Sequence, residues 1–353
     1  MKTLRLKIDA KQLGTREAGE TLERAAEILR AGGLVALPTE TVYGLGANAL
    51  DAAAVERIFA AKERPAWDPV IVHVASQAML EGLVEEVPEP ARRLMHVFWP
   101  GPLTLLLPRA RTVPDAVTAG RPLMGVRMPS HPVALELIRR AGVPVAAPSA
   151  NRFGHVSPTT AAHVLDDLDG RIDAVLDAGP APRGVESTVL DAGASPMRIY
   201  RPGAVTAEQI AETAGPVEIF RDEGLLNESR REALPSPGVG MRHYAPRARL
   251  VLIDAPLASL GRRLAEAAAD CEGEKVGVLL PTEVKAPPGI PPQRVFAWGR
   301  WDAPEALAQR LYAGLRALDA AGCTVILCPM PAAEGIGAAL RDRLRKAGRK
   351  SRD

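Results

Sequence analysis

The amino-acid sequence predicts an α/β protein in two domains, and three observations carry that prediction. Short apolar runs of strand length alternate with amphipathic helical stretches as far as Phe220. A charged, then Pro/Gly-rich segment interrupts the pattern, and a second alternation of strand and helix begins at Arg249. The chain of 353 residues also exceeds the length over which one hydrophobic core usually keeps growing. The expected division is a first domain over residues 1–222, a linker or lid over 223–247 and a second domain over 248–353.

Thr21 to Ala31, TLERAAEILRA, places Leu22, Ala25, Ala26 and Leu29 on one helical face and stops at Gly32-Gly33, a strong helix-ending signal. The run LVALPTETVYGLG reads as a buried strand that breaks into a polar turn. Asp51 is placed to cap a helix running through Ala61, IVHV at 71–74 is a short strand, and Ala91 to Phe98 is a short helix. The apolar runs LTLLL, GVRM, VPVAA, AVLDA, STVLDA and MRIYR then alternate with helices near Val133–Ala141 and Thr159–Leu168. These many short strands predict a twisted sheet of mixed direction. In the second domain, strands RLVLIDA, KVGVLLP, RVFAWG and TVILCPM alternate with helices LASLGRRLAEAAA, PEALAQRLYAGLRALDAA and GIGAALRDRLRKA. That is the βαβ order of a small Rossmann-like fold.

Composition removes several function classes. With 44 basic and 42 acidic residues the formal charge is only +2, which gives no global field for gathering nucleic acid. Cys271, Cys323 and Cys328 are odd in number and lack paired CxxC spacing, so neither a disulfide framework nor a zinc site is expected. The N-terminus MKTLRLKIDAKQLG has no signal-peptide core, and no stretch approaches about 18 consecutive apolar residues. A cytoplasmic location away from membranes is the expectation.

Three polar clusters in the first domain carry the chemistry. In PTETVYGLG, Thr39, Glu40 and Thr41 follow a buried strand, while Gly44 and Gly46 permit close backbone approach. In KERPAWDP, Lys62 and Arg64 lie two apart where a helix ends, a spacing that lets a point charge and a bidentate fork converge on one anion. In VRMPSHP and APSANRFGHVSPTT, Arg127 ends one strand and Ser149 and Asn151 end the next, suggesting strand ends that deliver polar groups to one crevice. Ser157-Pro158-Thr159 reads as a helix start able to hold a phosphate. Each cluster also has an ordinary reading: a strand-to-helix connection, a solvated helix end with cations against the dipole, and a pair of Asx/Ser turns.

Missing signatures narrow the field. There is no GxxxxGK[ST] loop, no GxSxG elbow around Ser149, no HExxH, and no Cys/His cluster. GIGAAL at Gly335–Leu340 has Leu340 where a dinucleotide fingerprint needs a small residue, so it reads as a helix N-terminus. What remains is a site rich in Lys, Arg, Ser, Thr and Asn without an obvious nucleophile. That suits phosphoryl or nucleotidyl transfer, where positioning and charge neutralisation do most of the catalysis.

Taken in order, PTETVYGLGANA, KERP…DPVIVHV, FWPGPLTLLL, VGVRMPSHP, APSANRFGHVSPT, GVESTVLD and RIYRPGA closely resemble the YrdC/Sua5 family of threonylcarbamoyl-AMP synthases. SPGVGMRHYAP at 236–246 and the second α/β domain match the longer Sua5 type, so the resemblance covers essentially the whole chain. It implies a YrdC-like twisted mixed sheet with helices, followed by a small Sua5 C-terminal domain. It further implies a cytoplasmic nucleotidyltransferase that makes L-threonylcarbamoyl-AMP and pyrophosphate from L-threonine, bicarbonate (or CO2) and ATP. The product would pass to a tRNA threonylcarbamoyl transferase system for t6A37 modification of tRNAs reading ANN codons.

Residue by residue, the resemblance implies that Lys62 and Arg64 are catalytic. Together with Ala66, Ser149, Asn151, Ser157, Arg201 and Tyr244 they would hold ATP. Thr39, His73, Arg127, Ala147 and Ser187 would surround L-threonine, with Arg127 as clamp for its α-carboxylate. Ala66-Trp67 departs from a smaller, more polar pair common in the family. Mg2+ would arrive with ATP, with no protein side chain as ligand. Two other readings remain open: an RNA-binding module using the tail RDRLRKAGRKSRD, and a carbamoyl-adenylate-forming enzyme. The tail's ordinary reading is a solvated helix face. The linker is a candidate lid, with Gly238 and Gly240 as bends, Pro237 and Pro246 stiffening its ends, and Tyr244 directed at the nucleotide.

Overall fold

The computed structural model describes residues 2–220, 236 and 244–349. The chain divides into two compact units. One comprises Met1–Phe153, Pro158–Pro182 and Glu186–Gly240. The other comprises Gly154–Ser157, Arg183–Val185 and Met241–Asp353. Most of the expected linker, including Pro237, Gly238, Gly240 and His243, lies outside the described residues.

In the first unit the elements run β1 Leu4–Lys7, α1 Arg16–Arg30, β2 Val35–Leu37, β3 Gly44–Asn48, α2 Ala52–Lys62, β4 Val72–His73, α3 Gln77–Glu81, α4 Glu89–Phe98 and β5 Leu103–Pro108. They continue α5 Asp115–Thr118, β6 Leu123–Arg127, α6 Pro132–Ala141, β7 Val145–Ala146, α7 Ala161–Leu168, β8 Ala174–Asp177, β9 Thr188–Asp191, β10 Met197–Arg201, α8 Ala207–Ala214 and β11 Val217–Ile219. The strands form one mixed sheet in the order β1-β8-β2-β3-β7-β4-β6-β5-β9-β10-β11. Helices cover both faces, which is why its strands read as continuous apolar runs instead of alternating ones. In β2, Val35 and Leu37 join the core under α1 and α6 while Ala36 joins the core under α2, α4 and α7, the period of two expected of a strand.

Helix ends follow local chemistry. Asp51 accepts a hydrogen bond from Ala54 N–H at 3.2 Å and starts α2, as its sequence position predicts. Helix α1 starts five residues before the predicted Thr21, because Thr15 caps it and its first turn, Arg16 to Gly19, needs little apolar burial. Thr160, not Ser157, caps α7. The sequence missed α8, although Thr206 and Gln209 form a reciprocal capping box at its start. The predicted apolar face of α1 is fully buried, with Leu22, Ala25, Ala26 and Leu29 all at 0% exposure.

The second unit runs β12 Arg249–Ile253, α9 Leu257–Ala269, β13 Val276–Pro281, β14 Val295–Gly299, α10 Pro304–Ala320, β15 Val325–Pro329 and α11 Ile336–Ala347. Its sheet is wholly parallel in the order β12-β15-β13-β14, the doubly wound arrangement that the alternation predicts. Gly335 is the residue capping α11, as expected for GIGAAL. Three cations of the basic tail are occupied within this unit. Arg341 pairs with Asp254, Arg343 is fully buried beside Asp342 at 2.5 Å, and Lys346 pairs with Asp342 at 3.0 Å. This removes much of the solvated patch that an RNA-binding tail requires; Lys350 and Arg352 lie outside the described residues. Among the described residues, no helix is long and apolar enough to cross a membrane.

Candidate active site

The short strand β4 organises the polar residues of the first unit. It pairs parallel with β6, aligning His73 with Arg127, and antiparallel with β7, aligning His73 with Val145. Arg127 and Ser149 therefore leave from opposite ends of β4, whereas the sequence reading expected neighbouring strand ends to deliver them to one crevice. Arg127 Nη2 reaches back to Thr41 Oγ1 at 3.2 Å.

Thr39 shapes the loop that meets it. Its hydroxyl donates to Val42 C=O at 2.6 Å, accepts from the N–H groups of Thr41 and Val42, and lies 2.8 Å from Thr41 Oγ1. Gly44 then pairs with Ser149, where an added Cβ would meet that of Ala147 at 3.2 Å. The glycine thus serves the close approach that its position in PTETVYGLG predicts. Glu40, in the same loop, accepts Ser130 N–H at 3.2 Å through Oε2, which lies 3.5 Å from Arg127 Nη2.

Lys62 and Arg64 turn inward because Glu63 ends α2 in the left-handed region, at φ 56° and ψ 38°. The Lys62 ammonium donates to the carbonyls of Ser149 and Asn151, each at 2.5 Å, and tethers the SAN turn. Phe153 N–H donates to Lys62 C=O at 2.8 Å and completes that junction. Arg64 donates to the carbonyls of Asp68 and Pro69 at 3.2 and 2.8 Å. Its Nη2 also lies 2.9 Å from Asp68 Oδ1, an ion pair without hydrogen-bond angles. Ala66 lies in the exposed turn between them.

A third group forms where β9 and β10 meet. Arg201 donates to Ser187 C=O and to Ser187 Oγ, both at 3.1 Å, and Ser187 Oγ lies 2.7 Å from Thr104 Oγ1. Gly203 makes this possible, since a Cβ there would stand 2.3 Å from Thr188 N. Ser157 and Tyr244 belong to the second unit. The Tyr244 ring, 1% exposed, stacks on Tyr312 at 5.9 Å and lies 5.1 Å from the Arg343 guanidinium. Ala245 N–H donates to Gly154 C=O at 2.9 Å, and Arg316 donates to Val156 C=O at 2.5 Å.

Charge gives the first unit its character. Lys62, Arg64, Arg127 and Arg201 are buried there, against Glu40, Asp68 and Glu186 among the described residues. Burial, then the neighbouring Arg64, pushes the Lys62 ammonium well below the usual lysine range. Burial, then Arg127, pushes His73 down and keeps it neutral near pH 7. Burial raises the Asp68 carboxyl, opposed by Arg64, Lys62 and Arg201. Burial lowers Arg127, opposed by Glu40 and reinforced by Arg201. Buried polar atoms also lack hydrogen-bond partners at Arg127 Nε, Glu40 Oε1, His73 Nδ1 and His131 Nδ1. A surplus of buried cations beside unused donors and acceptors is an arrangement that anionic ligands complete.

Sequence reasoning gave no role to Glu40, Asp68, Thr104, His131 or Gly203. Glu40 stood within a quoted motif, but only the folded structure shows that it meets Arg127. Among the described residues no three His, Cys, Asp or Glu side chains gather as metal ligands.

Residues 27–203 match a family described as "Telomere recombination", and residues 205–348 match the threonylcarbamoyl-AMP synthase C-terminal domain. The chain is 44% identical to the threonylcarbamoyl-AMP synthase of Pyrococcus abyssi, over 92% of each chain. It is 43% identical to that of Bacillus subtilis, over 98% of each. The crystal structure of P. abyssi Sua5 complexed with L-threonine superposes with a TM-score of 0.88 at 41% identity, covering 99% of this chain and 98% of that one. Two domain matches in the right order, relatives covered nearly end to end and a shared fold show that this chain is an enzyme belonging to the Sua5-type threonylcarbamoyl-AMP synthase family.

Proposed function

We propose that this protein joins L-threonine, bicarbonate and ATP into L-threonylcarbamoyl-AMP and pyrophosphate, supplying the activated group for t6A37 modification of tRNAs that read ANN codons. The observation that carries the reading is the surplus of buried cations, Lys62, Arg64, Arg127 and Arg201, set among small hydroxyl side chains in one unit. A triphosphate and an amino-acid carboxylate are the anions such a set would neutralise. The threonine complex of the P. abyssi relative supports the amino-acid half.

In this reading Arg127 clamps the α-carboxylate of threonine, with Thr39, His73, Ala147 and Ser187 around it. Lys62, Arg64, Ala66, Ser149, Asn151, Ser157, Arg201 and Tyr244 attend the nucleotide. The threonine amine, as the neutral base, reacts with bicarbonate to give a carbamate and water. A carbamate oxygen then attacks the α-phosphorus of ATP, the bond to the bridging oxygen breaks, and pyrophosphate leaves. Lys62 and Arg64 offset the charge that develops on both phosphate groups. Lys62 has one N–H left after serving its two carbonyls. Mg2+ would arrive as a companion of the triphosphate; among the described residues no three His, Cys, Asp or Glu side chains gather to hold it. When bound it would supply further neutralisation of the phosphates.

The test is direct. The protein is incubated with ATP, Mg2+, bicarbonate and labelled threonine, and the mixture is searched for a labile threonine-containing adenylate. Formation that depends on threonine and bicarbonate is expected. Absence of that product under all conditions refutes the assignment, and dependence on carbamoyl phosphate in place of threonine redirects it to carbamoyl transfer.

A further inference from the structure

We infer that Glu40 accepts the α-amino group of the amino-acid substrate and makes the site select an α-amino acid over other carboxylates of the same shape. The inference rests on the proposed threonine site at Arg127 and adds a residue to which that reading gives no role.

Three features of Glu40 support it. The side chain is buried at 4% exposure, beside an Arg127 that is 2% exposed. Its two oxygens are used unequally: Oε2 takes the Ser130 N–H at 3.2 Å, while Oε1 is buried with no hydrogen-bond partner. A buried carboxylate oxygen without a donor is costly, so such an atom is expected to serve a ligand, a water or a proton. The contact with Arg127 is also loose. At 3.5 Å between Oε2 and Nη2 it is longer than a good charge-assisted bond, and Arg127 Nε has no partner.

An α-amino acid is complementary to this pair. Its ammonium nitrogen and nearer carboxylate oxygen are held about 3 Å apart by the bonds at Cα. A cation and an anion side by side, each with an unused buried atom, can therefore take the two ends of one zwitterion. Arg127 alone would hold any small carboxylate equally well. Selection between them needs a second group that is left unsatisfied when the amine is missing, which is how a buried polar site discriminates. The imidazole of His131, also buried with an unpartnered Nδ1, stands on the same turn as Ser130. It is held below the usual histidine range mainly by burial, so it adds no competing cation beside Glu40 near pH 7.

The experiment compares L-threonine with 3-hydroxybutanoate, which carries the carboxylate and hydroxyl of threonine but no amino group, by titration calorimetry. The unaltered protein is expected to bind threonine at least about 10-fold more tightly. Glu40→Gln, with its fold checked by circular dichroism, is expected to weaken threonine about 10- to 100-fold while changing 3-hydroxybutanoate less than about 3-fold. Glu40→Asp, which keeps the charge one methylene back, should fall between. Equal weakening of both ligands means that Glu40 acts only through Arg127, and it overturns the inference, as does unchanged threonine affinity. If Glu40→Gln fails to fold, the unaltered protein still decides, because equal affinity for the two ligands overturns the inference. Failure of the unaltered protein to bind threonine overturns the substrate reading itself, a result distinct from loss of discrimination.

Discussion

Replacing Lys62 with methionine separates what this buried cation does for the fold from what it does for the reaction. Methionine nearly matches the length of the stem while removing the charge and all three donors. The loss is two hydrogen bonds of 2.5 Å, to the carbonyls of Ser149 and Asn151. At about 1.5–3 kcal/mol for each bond to a charged group, that is about 3–6 kcal/mol gross. Against it stands the release of an ammonium that is 1% exposed, whose desolvation costs several kcal/mol. The two nearly offset, so stability at pH 7 should change by less than about 2 kcal/mol. The effect on turnover has no such offset. Loss of one charge-stabilising donor costs about 100- to 1000-fold, or about 2.7–4 kcal/mol.

A pH signature accompanies this prediction. The folded Lys62 has a depressed pKa, so between that value and the unfolded value near 10.4 the unfolded chain holds a proton that the folded chain lacks. Unaltered protein therefore gains stability relative to Lys62→Met as pH rises through that window and gains nothing below it. The assays are pyrophosphate release with threonine and bicarbonate present, and urea unfolding midpoints of both proteins from pH 7 to 10. Near-normal release by Lys62→Met refutes the catalytic role. A stability difference that stays flat or reverses with rising pH refutes the burial argument.

Tyr244→Ala leaves a large hole where a ring packs between Tyr312 and Arg343, and should lower stability by about 3–5 kcal/mol, with Tyr244→Phe retaining most of it. Unfolding curves that superpose would contradict the packing. Gly203→Ala drives a Cβ to 2.3 Å from Thr188 N and 2.5 Å from the Ser187 carbonyl carbon, both backbone atoms that cannot step aside. A loss of about 1–3 kcal/mol is expected, with weakened threonine binding through the displaced Ser187 and Arg201; calorimetry and denaturation check both. His73 is buried with a lowered pKa, so below about pH 6.5 the unfolded chain takes a proton that the folded chain refuses and stability falls with acid. His73→Phe should flatten that acid slope by up to about 1.4 kcal/mol per pH unit, measured as unfolding free energy from pH 7 to 5.

The chain's own order decided most of the architecture. Apolar runs too short for helices, stretches of period 3.6 and stops at Gly32-Gly33 or starts at Asp51 are local facts, and local sterics and hydrogen bonding turn them into strands, helices and caps wherever they fold. The same locality made Lys62, Arg64, Arg127, Ser149 and Asn151 visible, since each sits in a short polar cluster at an element's end. Tertiary structure alone decided the strand order, because pairing β4 with both β6 and β7 joins segments more than fifty residues apart. It set Glu40 beside Arg127 and Gly203 against Ser187, contacts across 87 and 16 positions of chain that no periodicity encodes. It also fixed the electrostatics. A lysine or histidine in the sequence carries its ordinary pKa, and only the removal of water around Lys62 and His73 changes which form is stable.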